Sequence, residues 1–450
     1  MQTSNVQLNQ RPFSTGEIFW AKMCERASNT FVFYCRLRGQ VDADQLKDAV
    51  NTAAHVFPIL GAKVLQDNGQ FILETGHISR HKVRVIRRED GNHWHRLMDE
   101  ELSRRIPMNA DSLWDAAILS GPDYAELILS FNHLIGDGLS AVLLIEEVLS
   151  VYSGAKPSAR QPIRESMESL FKQESGMFRQ LKYIVQNVND LVRTARKKVY
   201  WLPAGTEPSG NGTGATVFKT LSFTQLESEA IRQGASKHNT TVYGAICAAL
   251  SLAIHAEAKA QGPLALGISS SVSLRAELRE DVSRDFGFYA TNLDVLADVS
   301  ADSDFWELAR VYSRSVKQQI EMGKPQFGLA LLRMVLKKYT DVDELRQLMV
   351  KQAQSTAMVT NMGRIKLKPQ HGDVTIEEIF GLPSSHLLPR SLLVIAALSF
   401  QDILRLTFSY PIPFTDAKVA ERLIADVMRR LRELNHRRVP LDQAAAPAGV

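Results

Sequence analysis

The sequence predicts an α/β protein (an α+β sandwich) made of two similar halves. Three observations point there. Short β-rich runs alternate with amphipathic runs along the whole chain. A Gly/Pro/Ser-rich stretch, Pro203 to Gly214, interrupts the alternation near the middle, and the same grammar restarts after it. The chain has 450 residues, 45% of them hydrophobic and 23% charged, which is enough for two cores. The expected division is residues 1–200, a linker over 201–215, and 216–450.

In the first half, Ser14-Thr15-Gly16-Glu17 is a capping box with Phe13 and Ile18 placed as a staple, so a helix is expected through about Arg26. Phe31 to Leu37 is β-rich. Asp42 with Gln45 caps a second helix whose apolar face is Leu46, Ala49, Val50, Ala53 and Val56, and Pro58 stops it. Gly61 to Leu73 suggests a hairpin turning at Asn68-Gly69. A strand at Val83–Ile86, a helix over Trp94–Ser103 and a strand over Trp114–Leu119 follow. The apolar run Leu127–Phe131 then reads as a strand. Leu139, Val142, Leu143, Ile145, Val148 and Leu149 recur at helical spacing, and Gly154 ends that helix.

Residues 156–200 differ in character, with ten Lys or Arg against four acids. Met177, Leu181, Ile184, Val185, Val188, Leu191 and Val192 fall on one helical face. This is expected to be a crossover helix packed on the body. The sharper alternative is a basic surface for lipid headgroups, nucleotide phosphates or an acidic carrier protein, with peripheral membrane contact.

In the second half, Val217–Phe223 reads as a strand and Thr224 with Glu227 as a capping box. The helix there breaks near Lys237-His238-Asn239, and Thr240 or Thr241 caps the next one. Leu264–Val272 and Asn292–Leu296 read as strands, 303–321 and 327–352 as helices, and Ala357–Thr360 as a strand ending at Asn361-Met362-Gly363. Ser391–Phe400 and Ile403–Tyr410 form a hairpin turning at Gln401-Asp402. Thr415 is expected to cap a last amphipathic helix.

Composition excludes several classes. Three scattered cysteines, Cys24, Cys35 and Cys247, form no disulfide framework and suggest a reducing compartment. Met1 to Arg11 has no signal-peptide core, and no apolar run has the length to cross a bilayer, so a cytoplasmic location is expected. The net charge of +4 is mild, and no nucleic-acid signature accompanies it. His93 and His95 lack a third ligand, so no metal is predicted. No nucleophile elbow surrounds any serine.

The chemistry-bearing stretch is Ser130-Phe131-Asn132-His133-Leu134-Ile135-Gly136-Asp137-Gly138-Leu139. It holds a histidine at a strand-to-helix junction, where a side chain can project into a cleft. Two close glycines mark a turn that other residues would strain to make. His133 is the candidate general base.

Asn132-His133-Leu134-Ile135-Gly136-Asp137-Gly138 resembles the HHxxxDG motif of the chloramphenicol-acetyltransferase-like superfamily. That group includes condensation domains, plant acyl-CoA acyltransferases, wax ester synthases and polyketide-associated acyltransferases. Further segments match in order. Phe57-Pro58-Ile59-Leu60 resembles an "HP-hydrophobic-L" segment, and Ser273-Leu274-Arg275 an "(N/D)LR" strand end. Asp285-Phe286-Gly287-Phe288-Tyr289 is similar to DFGWG, and Asn361-Met362-Gly363 resembles "(S/T)N-x-G". The layout is most similar to polyketide-associated acyltransferases such as phthiocerol dimycocerosyl transferases, and to related alcohol acyltransferases. Asn132 departs from the motif where its first His stands, and Phe288 and Tyr289 depart from DFGWG.

The resemblance implies two chloramphenicol-acetyltransferase-like subdomains with a tunnel between them and His133 near its middle. It implies transfer of an acyl group from a thioester to a hydroxyl of a lipid, polyketide or other natural product. Acyl-CoA, or a phosphopantetheinyl thioester on an acyl carrier protein, is the expected cosubstrate, with no bound cofactor and a monomeric enzyme. Asp137 is expected to pair with Arg275 rather than to orient the base as in a triad. Gly138 is expected to matter for backbone conformation and close approach to the donor, and Gly287 for channel shape. Thr360 and Asn361 are the oxyanion candidates. Two alternatives stand beside this reading: a free-standing condensation domain forming an amide or ester between carrier-bound substrates, and a catalytically silent binding module. Lack of an adjacent adenylation or carrier segment favours the acyltransferase over the first, and His133, Asp137, Gly138 and Arg275 together oppose the second.

Overall fold

Two six-stranded sheets form the body of the protein, seen here in a computed structural model that describes residues 9–67, 70–77, 79–172, 185, 188, 197–205 and 214–436. The turn residues Asn68-Gly69, most of the basic stretch after residue 172 and most of the expected linker lie outside the described residues.

The first sheet is built on β7 (Tyr124–Asn132), antiparallel to β2 (Thr30–Arg38) on one side and to β6 (Trp114–Ser120) on the other. β5 (Val83–Arg87) runs parallel to β6 at one edge. Every residue of β7 from Ala125 to Asn132 is buried, because both faces are covered. This is why its sequence reads as an unbroken apolar run rather than an alternation. α1 (Thr15–Met23), α2 (Ala43–Ala54), α3 (His93–Ser103) and α4 (Gly138–Tyr152) pack around this sheet. A small sheet of β1 (Asn9–Pro12), β3 (Lys63–Asp67) and β4 (Gln70–Thr75) completes this half, with β3 and β4 paired as the expected hairpin.

The second sheet has the order β10-β9-β11-β14-β15-β8. Its strands are β8 (Ala215–Ser222), β9 (Leu264–Ser273), β10 (Ala290–Val299), β11 (Ala357–Arg364), β14 (Val394–Phe400) and β15 (Ile403–Ile412). The helices packed on one face are α5 (Gln225–Lys237), α6 (Val242–Glu257), α7 (Phe305–Glu321) and α10 (Ala417–His436). Their core joins Ile246 and Leu250 of α6 to Ile268, Val295, Phe408 and Val427. Gly244 lets α6 approach α7 closely; a Cβ there would lie 2.3 Å from the Ala309 carbonyl oxygen. Gln401 and Asp402 turn the β14–β15 hairpin with φ of 50° and 62°, the left-handed pair that a two-residue hairpin loop requires.

Four expectations need correction. First, the sequence pattern predicts no element between 364 and 391, yet β12 (Gln370–His371) and β13 (Val374–Pro383) lie there, and β13 pairs with β2 of the first sheet. The division at 201–215 is therefore crossed: a strand from the second half completes the first sheet. Its Gly381 lies against Phe33, whose ring an added Cβ would overlap. Second, 327–352 is two helices, α8 (Lys324–Lys338) and α9 (Val342–Gln352). Asp341 starts the second by accepting from the Glu344 N–H. Third, Asp416 rather than Thr415 caps α10, accepting from the Lys418 and Val419 N–H groups, while the Thr415 hydroxyl bonds to the Leu392 backbone. Fourth, Asn361-Met362-Gly363 sits inside β11 beside a register shift, not beyond its end.

Candidate active site

His133 follows directly on the last residue of β7, and its N–H donates to the Asn29 carbonyl, 3.1 Å. Four residues later Asp137 starts α4, with a capping box closed by Ser140. The loop between them is short, so the ring is aimed by the two elements that flank it. Its Nδ1 is 2.9 Å from the Gly136 carbonyl oxygen. A carbonyl only accepts, so Nδ1 carries the proton and the lone pair sits on Nε2. Burial lowers the His133 pKa below 6.5, opposed in part by the Gly136 hydrogen bond and the Asp137 charge. The ring is therefore neutral near pH 7, the state a base needs.

Aromatic side chains enclose it. Trp20 of α1 stacks at 4.6 Å with 9° between planes, Phe31 of β2 lies at 4.7 Å, and Phe288 presents an edge at 5.6 Å. The sequence reading missed this box. The only signal was the i, i+4 placement of Gly16 and Trp20 on one face of α1, since Gly16 makes the space that Phe288 fills.

Asn132 is a strut. Its Nδ2 donates to the Ile106 carbonyl at 2.8 Å, and its Oδ1 accepts from Asn29 Nδ2 at 2.9 Å and from the Leu134 N–H at 3.0 Å. It is wholly buried. Asn132→Ala is expected to cost about 1–3 kcal/mol for each group left without a partner, measured by chemical denaturation.

Asp137 turns away from the imidazole toward the second half. Its Oδ2 meets Arg275 Nη1 at 2.5 Å and accepts from the Tyr289 N–H at 3.2 Å, while Oδ1 accepts from the Ser140 N–H at 3.0 Å. Arg275 Nη2 reaches the Asp285 carbonyl at 3.1 Å, and its guanidinium carbon lies 4.7 Å from the Tyr289 ring centre. Burial works to raise the Asp137 carboxyl, but Arg275 and the Ser140 and Tyr289 N–H groups outweigh it and hold it below 3.8. The Ser140 hydroxyl sits 2.9 Å from the Gly287 carbonyl and accepts from the Gly287 N–H at 3.0 Å. Asp137, Ser140, Arg275 and Gly287 thus form one knot tying the start of α4 to the 274–289 segment.

The left-handed backbone that a glycine turn would use is not found at Gly136 or Gly138; each is small because a neighbour is close. A Cβ on Gly136 would lie 2.7 Å from the Phe286 ring, one on Gly138 2.9 Å from Met362 Sδ, and one on Gly287 2.7 Å from the Tyr289 ring. Gly136→Ala is expected to cost about 1–3 kcal/mol through overpacking, read in unfolding curves. Gly138→Ala should cost less, because a flexible methionine end can move.

Gly138 also shows where the late segment comes in: Met362 of β11 abuts the first residue of α4. Thr360 shares the half-buried strand face of Met358 and Met362, opposite Ala357 and Val359 of the core. Asn361 uses its Oδ1 locally, accepting from the Gly363 N–H at 3.0 Å. Phe286, Gly287, Phe288 and Tyr289 line a crevice of about 30 Å³ together with Arg11, Glu17 and Arg164. A larger open pocket, about 470 Å³, lies beside Cys24, Arg105 and Met108 at the end of α1.

A two-lobed α/β body, with a histidine loop at the head of one central helix and an Asp–Arg pair joining the lobes, defines a protein of the chloramphenicol-acetyltransferase-like superfamily. The chain belongs within it to the condensation domain family, whose sequence model matches residues 18–350. No curated protein matches the sequence itself. Solved structures do. The trichothecene 15-O-acetyltransferase TRI3 of Fusarium sporotrichioides is 14% identical, with a TM-score of 0.73 and 96% of each chain covered. The condensation domain of the monacolin K polyketide synthase MokA is 13% identical, TM-score 0.69, covering 95% of this chain and 98% of that one. Polyketide synthase associated protein 5 of Mycobacterium tuberculosis is 14% identical, TM-score 0.61, covering 94% and 98%. At such identities the likeness is one of fold.

Proposed function

We propose that the protein transfers an acyl group from a thioester, on coenzyme A or a phosphopantetheinyl carrier, to a hydroxyl of a lipid, polyketide or other natural product, with His133 as general base. The observation that carries this reading is the His133 ring itself: Nδ1–H is committed to the Gly136 carbonyl and the ring is held neutral. Nε2 then accepts the acceptor's O–H proton as its oxygen attacks the thioester carbonyl. As the tetrahedral intermediate collapses, the C–S bond breaks and the imidazolium returns the proton to the thiolate. Products are ester and free thiol, and no covalent enzyme intermediate is needed. Thr360, on the strand face that ends at Met362 beside Gly138, is the proposed oxyanion donor, with the Nδ2 amide of Asn361, whose Oδ1 accepts from the Gly363 N–H, as the alternative.

The second reading, amide or ester formation between two carrier-bound substrates, is favoured by the family match. Thiol release separates the two. A panel of acyl-CoAs with primary and secondary alcohols should release thiol and yield ester. Transfer only from acyl carrier protein, with an amine as acceptor, would establish the second reading instead.

A further inference from the structure

We infer that Trp20 is a positioning residue for His133, fixing the plane of its imidazole and stabilising the imidazolium that proton abstraction creates. The inference rests on the reading of His133 as base, and goes beyond it by adding a residue that no motif contains.

The geometry is over-determined. The indole and imidazole lie 4.6 Å apart and 9° from parallel, while the Gly136 carbonyl holds Nδ1 from the ring's edge. A planar ring gripped on one face and along one edge has a single orientation, and Nε2 has no hydrogen-bond partner among the described residues. Trp20 is itself held. Phe288 meets Trp20 edge-on at 6.0 Å and 83°, and His133 at 5.6 Å and 86°, so one phenyl ring buttresses both partners of the stack. Phe288 in turn seats over Gly16, one helical turn before Trp20, where a Cβ would come within 2.7 Å of it. The start of α1 is pinned by its Ser14–Glu17 capping box, and Arg11 clamps Glu17 with two bonds of 2.6 and 2.8 Å.

The electrostatics make the stack useful. Proton abstraction puts a positive charge on a ring surrounded by Trp20, Phe31 and Phe288, where water does little to support it. Of the charged groups nearby, Asp137 of α4 favours the imidazolium but is shared with Arg275, Glu17 of α1 is paired with Arg11, and Lys22 of α1 donates to the Thr340 carbonyl. The face of an indole is electron-rich and is the best aromatic partner for a cation, more so when desolvated. Trp20 offers that face to the reacting ring.

The test replaces Trp20 with Leu and with Phe, and reads the His133 imidazole by NMR titration of the resting protein alongside kcat and KM for thiol release. His81 and His238 stack on their own tryptophans, Trp114 and Trp306, and serve as internal references. Trp20→Leu keeps the site apolar but removes the π face. It should lower the His133 midpoint and cut kcat by roughly 3–30-fold, the range of a desolvated cation–π contact, with KM little changed. Trp20→Phe, which preserves the packing, should restore part of both. A His133 midpoint that stays put or rises in folded Trp20→Leu and Trp20→Phe overturns the inference, because a purely steric wall would leave the imidazolium no less stable. The titration needs no turnover: a lowered midpoint in a protein that transfers no acyl group would sustain the role of Trp20 while ending the reading of His133 as base.

Discussion

His133→Ala is expected to abolish most turnover, lowering kcat by roughly 10²–10⁴-fold, the usual contribution of a positioned base, while thermal unfolding changes little. The ring is half-buried and, among the described residues, makes one side-chain hydrogen bond, to Gly136, so its loss should open a small gap among Trp20, Phe31 and Phe288 rather than unseat an element. The pH profile carries a second check. Burial lowers the imidazole below its ordinary 6.5. The neutral form then persists to lower pH, so the acid limb of kcat/KM should fall below pH 6.5 in wild type. Thiol release measured from pH 4.5 to 8 decides both points. Turnover that survives in His133→Ala would remove the residue from the mechanism, and an acid limb above 6.5 would contradict the lowered imidazole.

Asp137→Ala is expected to destabilise the protein by about 3–5 kcal/mol, the penalty for leaving the partner of a buried ion pair uncompensated. Both side chains are nearly inaccessible, 7% and 6% exposed for Arg275 and Asp137. Removing the carboxylate also strands the Ser140 and Tyr289 N–H groups that it satisfies. Asp137→Asn keeps an acceptor for one of those groups and should cost less. Asp137→Ala combined with Arg275→Met should cost less than the sum of the two singles, since the second change removes the stranded charge. The acid side follows from the same pair. Asp137 is held below 3.8 in the folded state, so its contribution is complete above 3.8 and is lost as pH falls toward the folded value. Urea unfolding at pH 7 and at pH 3 would show wild type losing stability on acidification and Asp137→Asn losing less.

Much of the site was legible because its residues act locally. The capping boxes at Ser14 and Thr224, the caps at Asp42 and Thr241 and the strand-to-helix frame of His133 are all set by side chains within a few positions of the backbone they satisfy. The Asp137–Arg275 pair came from the family resemblance, since 138 residues separate its partners and no spacing rule reaches that far. The glycines show the limit of local reasoning. Gly136 and Gly138 look like turn formers in the sequence, yet neither has positive φ and their smallness answers Phe286 and Met362, which arrive from the other half of the chain.

What the sequence determined by itself was the alternation of strands and helices, the two-part plan and the histidine at the head of α4, because apolar period and capping chemistry act over one or two turns of chain. Tertiary structure alone decided that β13 completes the sheet of the other half, that Asn132 braces the loop, and that Trp20 lies flat against His133. Those outcomes depend on which surfaces meet in three dimensions, and close packing between distant segments leaves no period in the residues that make it.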